Sequence, residues 1–305
     1  MTSTIRTDEV HEFTFAVMGA EIEFVRKDQG FGPAVMTRAD AADLQLSAGG
    51  IDFSTVMESR VPEGSVAMQL LTRDPGGTTM CGLATDPDRP SLFAPCAPVF
   101  GHLPAGVRAT TIVASVDALH AVAADLGLGG LDLERTRMRI SPTPQVLQLV
   151  EGLRDLSGDP GLLEASNNGQ RLVERLVVSL SVEGTPTNRL GRRRDSGEIV
   201  ALAIDYAQQT GVWQPTLREL CRASLASESS LRAAFVEVLG VPPSTYFQLR
   251  VLRELRRLLV VADPDVDTVT ALASNLGLSQ FGRVAGRYRL LFGESPSRTL
   301  RRPRH

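Results

Sequence analysis

The feature that most constrains this chain is a repeat within its last hundred residues. Leu217, Leu220, Cys221 and Ser227 recur 52 positions later as Val269, Leu272, Ala273 and Ser279. One residue is then inserted. At a spacing of 53, Leu231, Phe235, Leu239, Gly240, Pro243 and Ser244 recur as Val284, Tyr288, Phe292, Gly293, Pro296 and Ser297. A fixed period of this length means one supersecondary unit built twice. In each copy a helical apolar pattern breaks at a short turn, resumes, and stops at a glycine followed within three residues by a proline. Short helix, turn, helix is the helix-turn-helix pattern.

Local chemistry fixes the expected geometry. Thr216 predicts the N-cap of a helix running to about Ser224, and Ser227 caps a second that ends at Leu239 before Gly240. Leu231 and Phe235, four apart, mark the buried face of that second helix. Ser229, Ser230, Arg232, Ala233 and Val236 are left facing outward or on its flanks. The second copy is expected to run from Thr268 to Asn275, turn through Leu276-Gly277-Leu278, and resume at Ser279. Between the copies, Ser244 to Val261 reads as one long helix. Its core side holds Val251, Leu252, Leu255, Leu258 and Leu259, with Arg250, Arg253 and Arg257 elsewhere. Such a stiff connector holds both second helices on one side, and about 34 Å apart they would enter successive major-groove turns of DNA.

The first 115 residues read differently. Phe13, Phe15 and Val17 alternate, as do Ile22 and Phe24, then Val66, Met68 and Leu70, which is the period of strands. Asp28-Gln29-Gly30, Gly49-Gly50, Pro62-Glu63-Gly64 and Asp74-Pro75-Gly76-Gly77 are the expected turns. Short strands at this spacing suggest a small barrel or sandwich. Helical spacing then begins at Ser115–Leu126 and returns from about Gln145 to Leu156 and from about Leu162 to Val182. In the last of these Leu172, Val173, Leu176, Val177 and Leu180 form a broad apolar stripe that fits either intrachain core or a dimer surface. The polar run Glu183 to Gly197 cannot bury a core. The division expected is therefore a first domain over 1–183, β-rich to about 115 and then helical, a linker over 184–197 and a second, helix-turn-helix domain over 198–305.

Charge supports that division. The chain carries a net −3, yet from Arg192 onward there are 17 arginines against 11 acidic residues. Before it there are 15 basic and 24 acidic residues, so one half suits a polyanion and the other does not. Arg192-Arg193-Arg194 and the tail arginines Arg301, Arg302 and Arg304 fit either electrostatic steering or a solvated surface. Cys81, Cys96 and Cys221 have no CxxC spacing, and His11, His102, His120 and His305 are scattered, so neither a metal nor a cofactor is expected. No apolar run is long enough for a membrane span, and the N-terminus lacks a secretory pattern, which points to the cytoplasm and no membrane partner. No GxSxG elbow marks a hydrolase. Glu21 and Glu23, two apart on one strand face, are an acid pair or a solvated edge. Phe53 and Phe93 line a pocket or fill a core.

Leu217 to Leu300 resembles the DNA-binding domain of AraC/XylS-family regulators. The string Ser279-Gln280-Phe281-Gly282-Arg283-Val284-Ala285-Gly286-Arg287-Tyr288-Arg289-Leu290-Leu291-Phe292-Gly293-Glu294-Ser295-Pro296 resembles the family signature in its second unit. Leu231, Phe235, Leu239-Gly240, Pro243 and Tyr246 match the first. The resemblance implies an α+β chain: an N-terminal β-rich, cupin-like domain with C-terminal helices, linked to an all-α domain with two helix-turn-helix units. It also implies a sequence-specific transcription regulator, activator or repressor, that binds double-stranded DNA and acts on RNA polymerase. In that reading 1–183 is a sensor or dimerisation domain that binds a small-molecule effector, forms a homodimer, or both, and 198–305 is the DNA-binding domain.

Family members read bases from positions equivalent to Ser229, Arg232 and Ala233, to which the outward Ser230 is added, and in the second unit to Gly282, Ala285 and Gly286. Here the chain departs from the pattern. Gly282, Ala285 and Gly286 carry no hydrogen-bonding side chain, Val284 replaces an aromatic, and Leu278 replaces a phenylalanine. Arg232 suits bidentate contact with guanine, which discriminates by about 1–3 kcal/mol. The expectation is that the first unit reads bases while Gln280, Phe281, Arg283, Arg287 and Arg289 of the second hold the DNA backbone. Two alternatives are a DNA-binding co-regulator that needs no ligand and a cupin-type enzyme with a DNA-binding tail. The enzyme would need a histidine-rich metal cluster that the sequence lacks.

Overall fold

A computed structural model of the chain describes residues 2–7, 16–17, 20–21, 23–26, 33–41, 43–87, 89–136, 140–164, 168–182 and 196–302. The strands are β1 (Ser3–Thr7), β2 (Ala16–Val17), β3 (Ala20–Glu21), β4 (Glu23–Arg26), β5 (Ala34–Ala41), β6 (Leu44–Ile51), β7 (Thr55–Arg60), β8 (Ser65–Arg73), β9 (Thr79–Met80), β10 (Leu83–Ala84), β11 (Ser91–Phe93), β12 (Pro98–Leu103) and β13 (Val107–Ser115). One sheet runs β1-β5-β6-β13-β8-β11, a second runs β10-β9-β12-β7-β4, and β2 pairs with β3. All of these pairings are antiparallel.

Alternation along β8 shows how the layers form. Val66, Met68 and Leu70 enter one core, beneath helices. Ala67 and Leu71 point the other way, into the core between the two sheets, with Phe53 and Phe93. Both phenylalanines are therefore packing residues, 1% and 2% exposed. Gly49-Gly50 is not a turn but lies inside β6. A Cβ on Gly49 would sit 2.1 Å from the Val35 carbonyl oxygen, so glycine serves close strand approach there rather than chain reversal. The Pro62-Glu63-Gly64 turn does join β7 to β8, with Gly64 at φ 68°. Glu21 and Glu23 fall on separate strands, β3 and β4, with different partners. Phe13, Phe15, Ile22, the Asp28-Gln29-Gly30 turn, His11, His305, Arg192-Arg193-Arg194 and Arg304 lie outside the described residues.

Helices α1 (Val116–Asp125), α2 (Pro144–Gly158) and α3 (Asn168–Val182) cover the outer face of the six-stranded sheet. Ser115 and Thr143 cap α1 and α2 by accepting the Ala118 and Val146 amides. The expected single helix from Leu162 is divided: Pro160–Glu164 form a 3-10 turn, and α3 starts at Asn168. Pro160 and Gly161 favour the tight turn over a continuous helix. The stripe Leu172, Val173, Leu176, Val177 and Leu180 is buried in the chain's own core.

The C-terminal helices are α4 (Ser196–Thr210), α5 (Leu217–Ser224), α6 (Glu228–Leu239), α7 (Pro243–Val261), α8 (Val269–Asn275), α9 (Phe281–Phe292) and α10 (Pro296–Leu300). Of the expected linker 184–197, Ser196 and Gly197 open α4, and the rest lies outside the described residues. α4, α5, α6 and the start of α7 share one core, which Val56 and Phe100 of the second sheet enter from the other side. The rest of α7 packs with α8, α9 and α10 around Leu255 and Tyr288. No described helix is long and apolar enough to cross a membrane.

Candidate nucleic-acid interface

The repeat in sequence is a repeat in space. Leu231, Phe235 and Tyr288 have no exposed surface, and Val284 has 8%. Burying such side chains stabilises each unit by about 1.5–3 kcal/mol apiece, which dominates its fold. Both second helices stop at a left-handed glycine, Gly240 at φ 66° and Gly293 at φ 74°. Pro243 and Pro296 then open the following helices.

In the first unit Thr216 and Glu219 form a reciprocal cap. The Thr216 hydroxyl accepts from the Glu219 amide at 3.3 Å, and the Glu219 carboxylate accepts from the Thr216 amide at 2.7 Å. The Thr216 hydroxyl also donates to that carboxylate, at 2.6 Å. This hydroxyl, followed by the backbone amide, holds the Glu219 carboxyl below the usual carboxylate range. Burial pushes the Cys221 thiol up, and Glu228 adds to the effect. The turn passes through Leu225 at φ 51°, where the second copy has Gly277 at φ 74°. Ser227 caps α6 through the Ser230 amide, at 3.2 Å.

Capping fixes what α6 presents. Ser229, Ser230, Arg232, Ala233 and Val236 are exposed, as the spacing of Leu231 and Phe235 predicts. The Ser229 and Ser230 hydroxyls lie 3.0 and 2.9 Å from the Ser227 hydroxyl. Arg232 is paired only loosely, at 3.8 Å, with a well-exposed Glu228, so its guanidinium is held weakly.

The second unit differs at its start. α9 begins at Phe281 with Gln280 as N-cap and no side-chain cap, rather than at Ser279. Ser227 abuts α6, whereas the single inserted residue leaves Ser279 two positions before α9 and out of capping register. Helical periodicity puts Gly282 and Gly286 along the outermost line, with Arg289 on one side and Arg283 and Arg287 on the other. All five are exposed, and a Cβ on either glycine meets nothing within 4 Å. None of the three arginines makes an ion pair with a described residue. Phe281 is 36% exposed at the first turn.

What ties the units together departs from the sequence reading of α7. Arg250, expected off the core side, is 8% exposed with its guanidinium 5.1 Å from the centre of the Trp213 ring. Beside it the Gln214 amide donates to the Gly277 carbonyl at 3.3 Å, joining the entry loop of the first unit to the turn of the second. Arg253 is half-buried, and Arg257 is exposed and paired with Glu254 at 2.6 Å. Arg256 and Glu294 form a buried pair at 3.2 Å, and Thr299 donates to the same Glu294 oxygen at 2.8 Å. Tyr288 meets Thr299 at 2.8 Å, and burial pushes its phenol up. Arg302, one of the tail arginines, reaches Glu294 at 3.4 Å. No spacing in the sequence singles out Arg256, Glu294 and Thr299. Arg256 and Thr299 are polar residues on buried faces of α7 and α10, and Glu294 lies in the bend between α9 and α10.

Far from this surface, α1, α2 and α3 border an open cleft of 390 Å³ lined by Leu126, Gln145, Arg171, Arg175 and Val178 among others.

Comparisons with known proteins bear on the same segment. A family model described as a helix-turn-helix domain matches residues 220–302. The probable thc operon regulatory protein of Rhodococcus erythropolis is 35% identical over 103 residues, covering 34% of this chain and 31% of that protein. The XylDLEGF operon transcriptional activator 1 of Pseudomonas putida is 38% identical over 87 residues, covering 28% of this chain and 26% of that protein. The chain thus spans about a third or less of the length of these relatives. Among solved structures, the AraC-like transcriptional activator CuxR superposes with a TM-score of 0.42 at 14% identity, over 84% of this chain and 95% of that one. ToxT from Vibrio cholerae gives 0.33 at 10%, over 85% and 98%.

Proposed function

We propose, on the premise that the C-terminal quarter of this chain is an AraC-type helix-turn-helix domain, that the protein is a sequence-specific DNA-binding transcription regulator. The observation that carries the reading is the pair of units on one stiff helix, each with its second helix exposed along the face away from its core. Ser229, Ser230, Arg232 and Ala233 of α6 contact base edges, with Arg232 as the main reader of sequence. Gln280, Phe281, Arg283, Arg287 and Arg289 position the second unit on the sugar-phosphate backbone. The bare Gly282–Gly286 line lets α9 approach the DNA closely.

The division proposed is a sensor or dimerisation domain over 1–183 and a DNA-binding domain over 198–305. The protein acts in the cytoplasm as a homodimer on paired half-sites and activates transcription through RNA polymerase. A small molecule held by the first domain changes how the second engages DNA, and the cleft beside Arg171 and Arg175 offers room for one. No catalytic role is assigned to either domain.

The test is binding of wild type and Arg232→Ala to a genomic fragment library over a range of salt. Discrete enriched sites are expected, with affinity falling steeply as salt rises. Arg232→Ala should relax the preference at one base position by about 1–3 kcal/mol. Absence of enriched sites at every salt concentration, with and without an effector screen, rejects the reading.

A further inference from the structure

The strand domain touches the two DNA-binding units unequally. β9 and β12 pack against α6, and β4 against α7, while no comparable contact joins a described strand to α8 or α9. At the centre of that contact is Glu58 of β7, a carboxylate with only 6% of its surface exposed. It accepts from the Gln208 side-chain amide of α4 at 2.5 Å and from the Tyr246 hydroxyl at the start of α7. Tyr246 is fully buried, and its ring meets Phe235 of α6 edge-on at 5.7 Å. One carboxylate of the first domain is thus two side chains away from the helix that presents Arg232.

A second tie acts on α6 directly. The last four carbonyls of a helix lack intrahelical partners. Val238 supplies one of them, and it accepts from the Thr79 hydroxyl of β9 at 2.7 Å. Around these contacts the Arg60–Asp205 pair closes the edge at 2.8 Å, and Val56 and Phe100 complete the apolar core of the first unit. The backbones meet so closely that a Cβ on Gly197 would lie 2.4 Å from the Cys81 carbonyl oxygen.

We infer that Glu58 is a positioning residue for the DNA-reading helix α6: through Tyr246 and Phe235 it sets that helix, and not α9, for the DNA. The inference rests on the proposed DNA-binding function for its consequence but not for its geometry. Any change in the first domain that moves β7 or β9 then alters base readout by the first unit and leaves backbone attachment by the second intact.

The experiment uses the full chain carrying Glu58→Leu, Glu58→Gln, Tyr246→Phe or the Glu58→Leu/Tyr246→Phe pair. Two quantities are read: amide hydrogen exchange in α6 and α9, and the ratio of affinity for an enriched site to that for random DNA. Glu58→Leu and Tyr246→Phe should each speed exchange in α6 over α9 and lower the ratio about fivefold or more. The pair should do no worse than either alone, because both act on one linkage. Glu58→Gln keeps an acceptor for Tyr246 and should retain most of the ratio. Tyr246→Phe keeps the ring and tests the linkage even if Glu58→Leu fails to fold. If α6 and α9 lose protection together, or neither does, the inference is overturned. An unchanged ratio despite a lower melting temperature overturns it as well. If the wild type prefers no site, the DNA-binding reading fails while the exchange arm still decides the inference.

Discussion

The sharpest test of the second unit is to add two methyl groups to α9. Glycine inside a helix costs about 1 kcal/mol relative to alanine, because the unfolded chain has more freedom to lose. Gly286 lies in the body of α9 and Gly282 in its first turn, and neither would press a Cβ on any atom within 4 Å. Gly286→Ala should therefore stabilise the free protein by about 1 kcal/mol, and the double variant by about 1–2 kcal/mol. The chain's single tryptophan, Trp213, packs against the second-unit core, so its fluorescence during urea unfolding reports this region. On DNA the sign should reverse. If the bare line between Arg283, Arg287 and Arg289 exists for close approach, a methyl forced into that contact costs about 1–3 kcal/mol. That is about a five- to 150-fold rise in Kd. Higher stability with unchanged affinity would refute the close-approach argument. Lower stability would refute the placement of the glycines on the open face.

Other consequences concern the elements that hold the units. Glu294→Ala leaves the Arg256 guanidinium buried without its carboxylate and should destabilise the protein by about 3–5 kcal/mol in urea unfolding. A loss below about 1 kcal/mol would mean that water reaches Arg256. Leu225→Gly removes a left-handed strain of about 1–2 kcal/mol at a side chain 73% exposed, against about 0.5–1 kcal/mol of added chain entropy. A small rise in melting temperature is expected, and a fall would show that the Leu225 side chain packs in solution. For Glu219 the folded state favours the charged carboxylate, so its support for α5 is present above the unfolded pKa and lost as pH falls through the folded one. An NMR titration should find the Glu219 midpoint depressed in wild type and restored towards normal in Thr216→Ala. Equal midpoints would remove the cap as the cause.

The helix-turn-helix pair was legible because its determinants are local. Thr216 and Ser227 cap the residues immediately after them, Gly240 and Gly293 take a conformation few other residues tolerate, and the apolar stripes need only one neighbour to pack against. Outward positions on α6 follow from the same periodicity. The misreadings share a cause too. Gly49-Gly50 has turn chemistry, yet strands on both sides approach it closely, and that proximity is invisible along the chain. Arg250 reads as a surface residue until Trp213, 37 positions earlier, comes to lie under it. Ser279 has the right chemistry for a cap and the wrong register by one residue.

Sequence by itself determined the two units, their order, the long helix between them and the strand-rich first domain, since each rests on propensity and period within a dozen residues. Only the tertiary structure decided that the α3 stripe is spent inside the chain and that the second sheet forms the back wall of the first unit. The same holds for Glu58 in β7, which meets Tyr246 from 188 positions away. A buried carboxylate and a solvated one look alike in sequence. What separates them is which surface covers them, and that is set when distant segments exclude the same water.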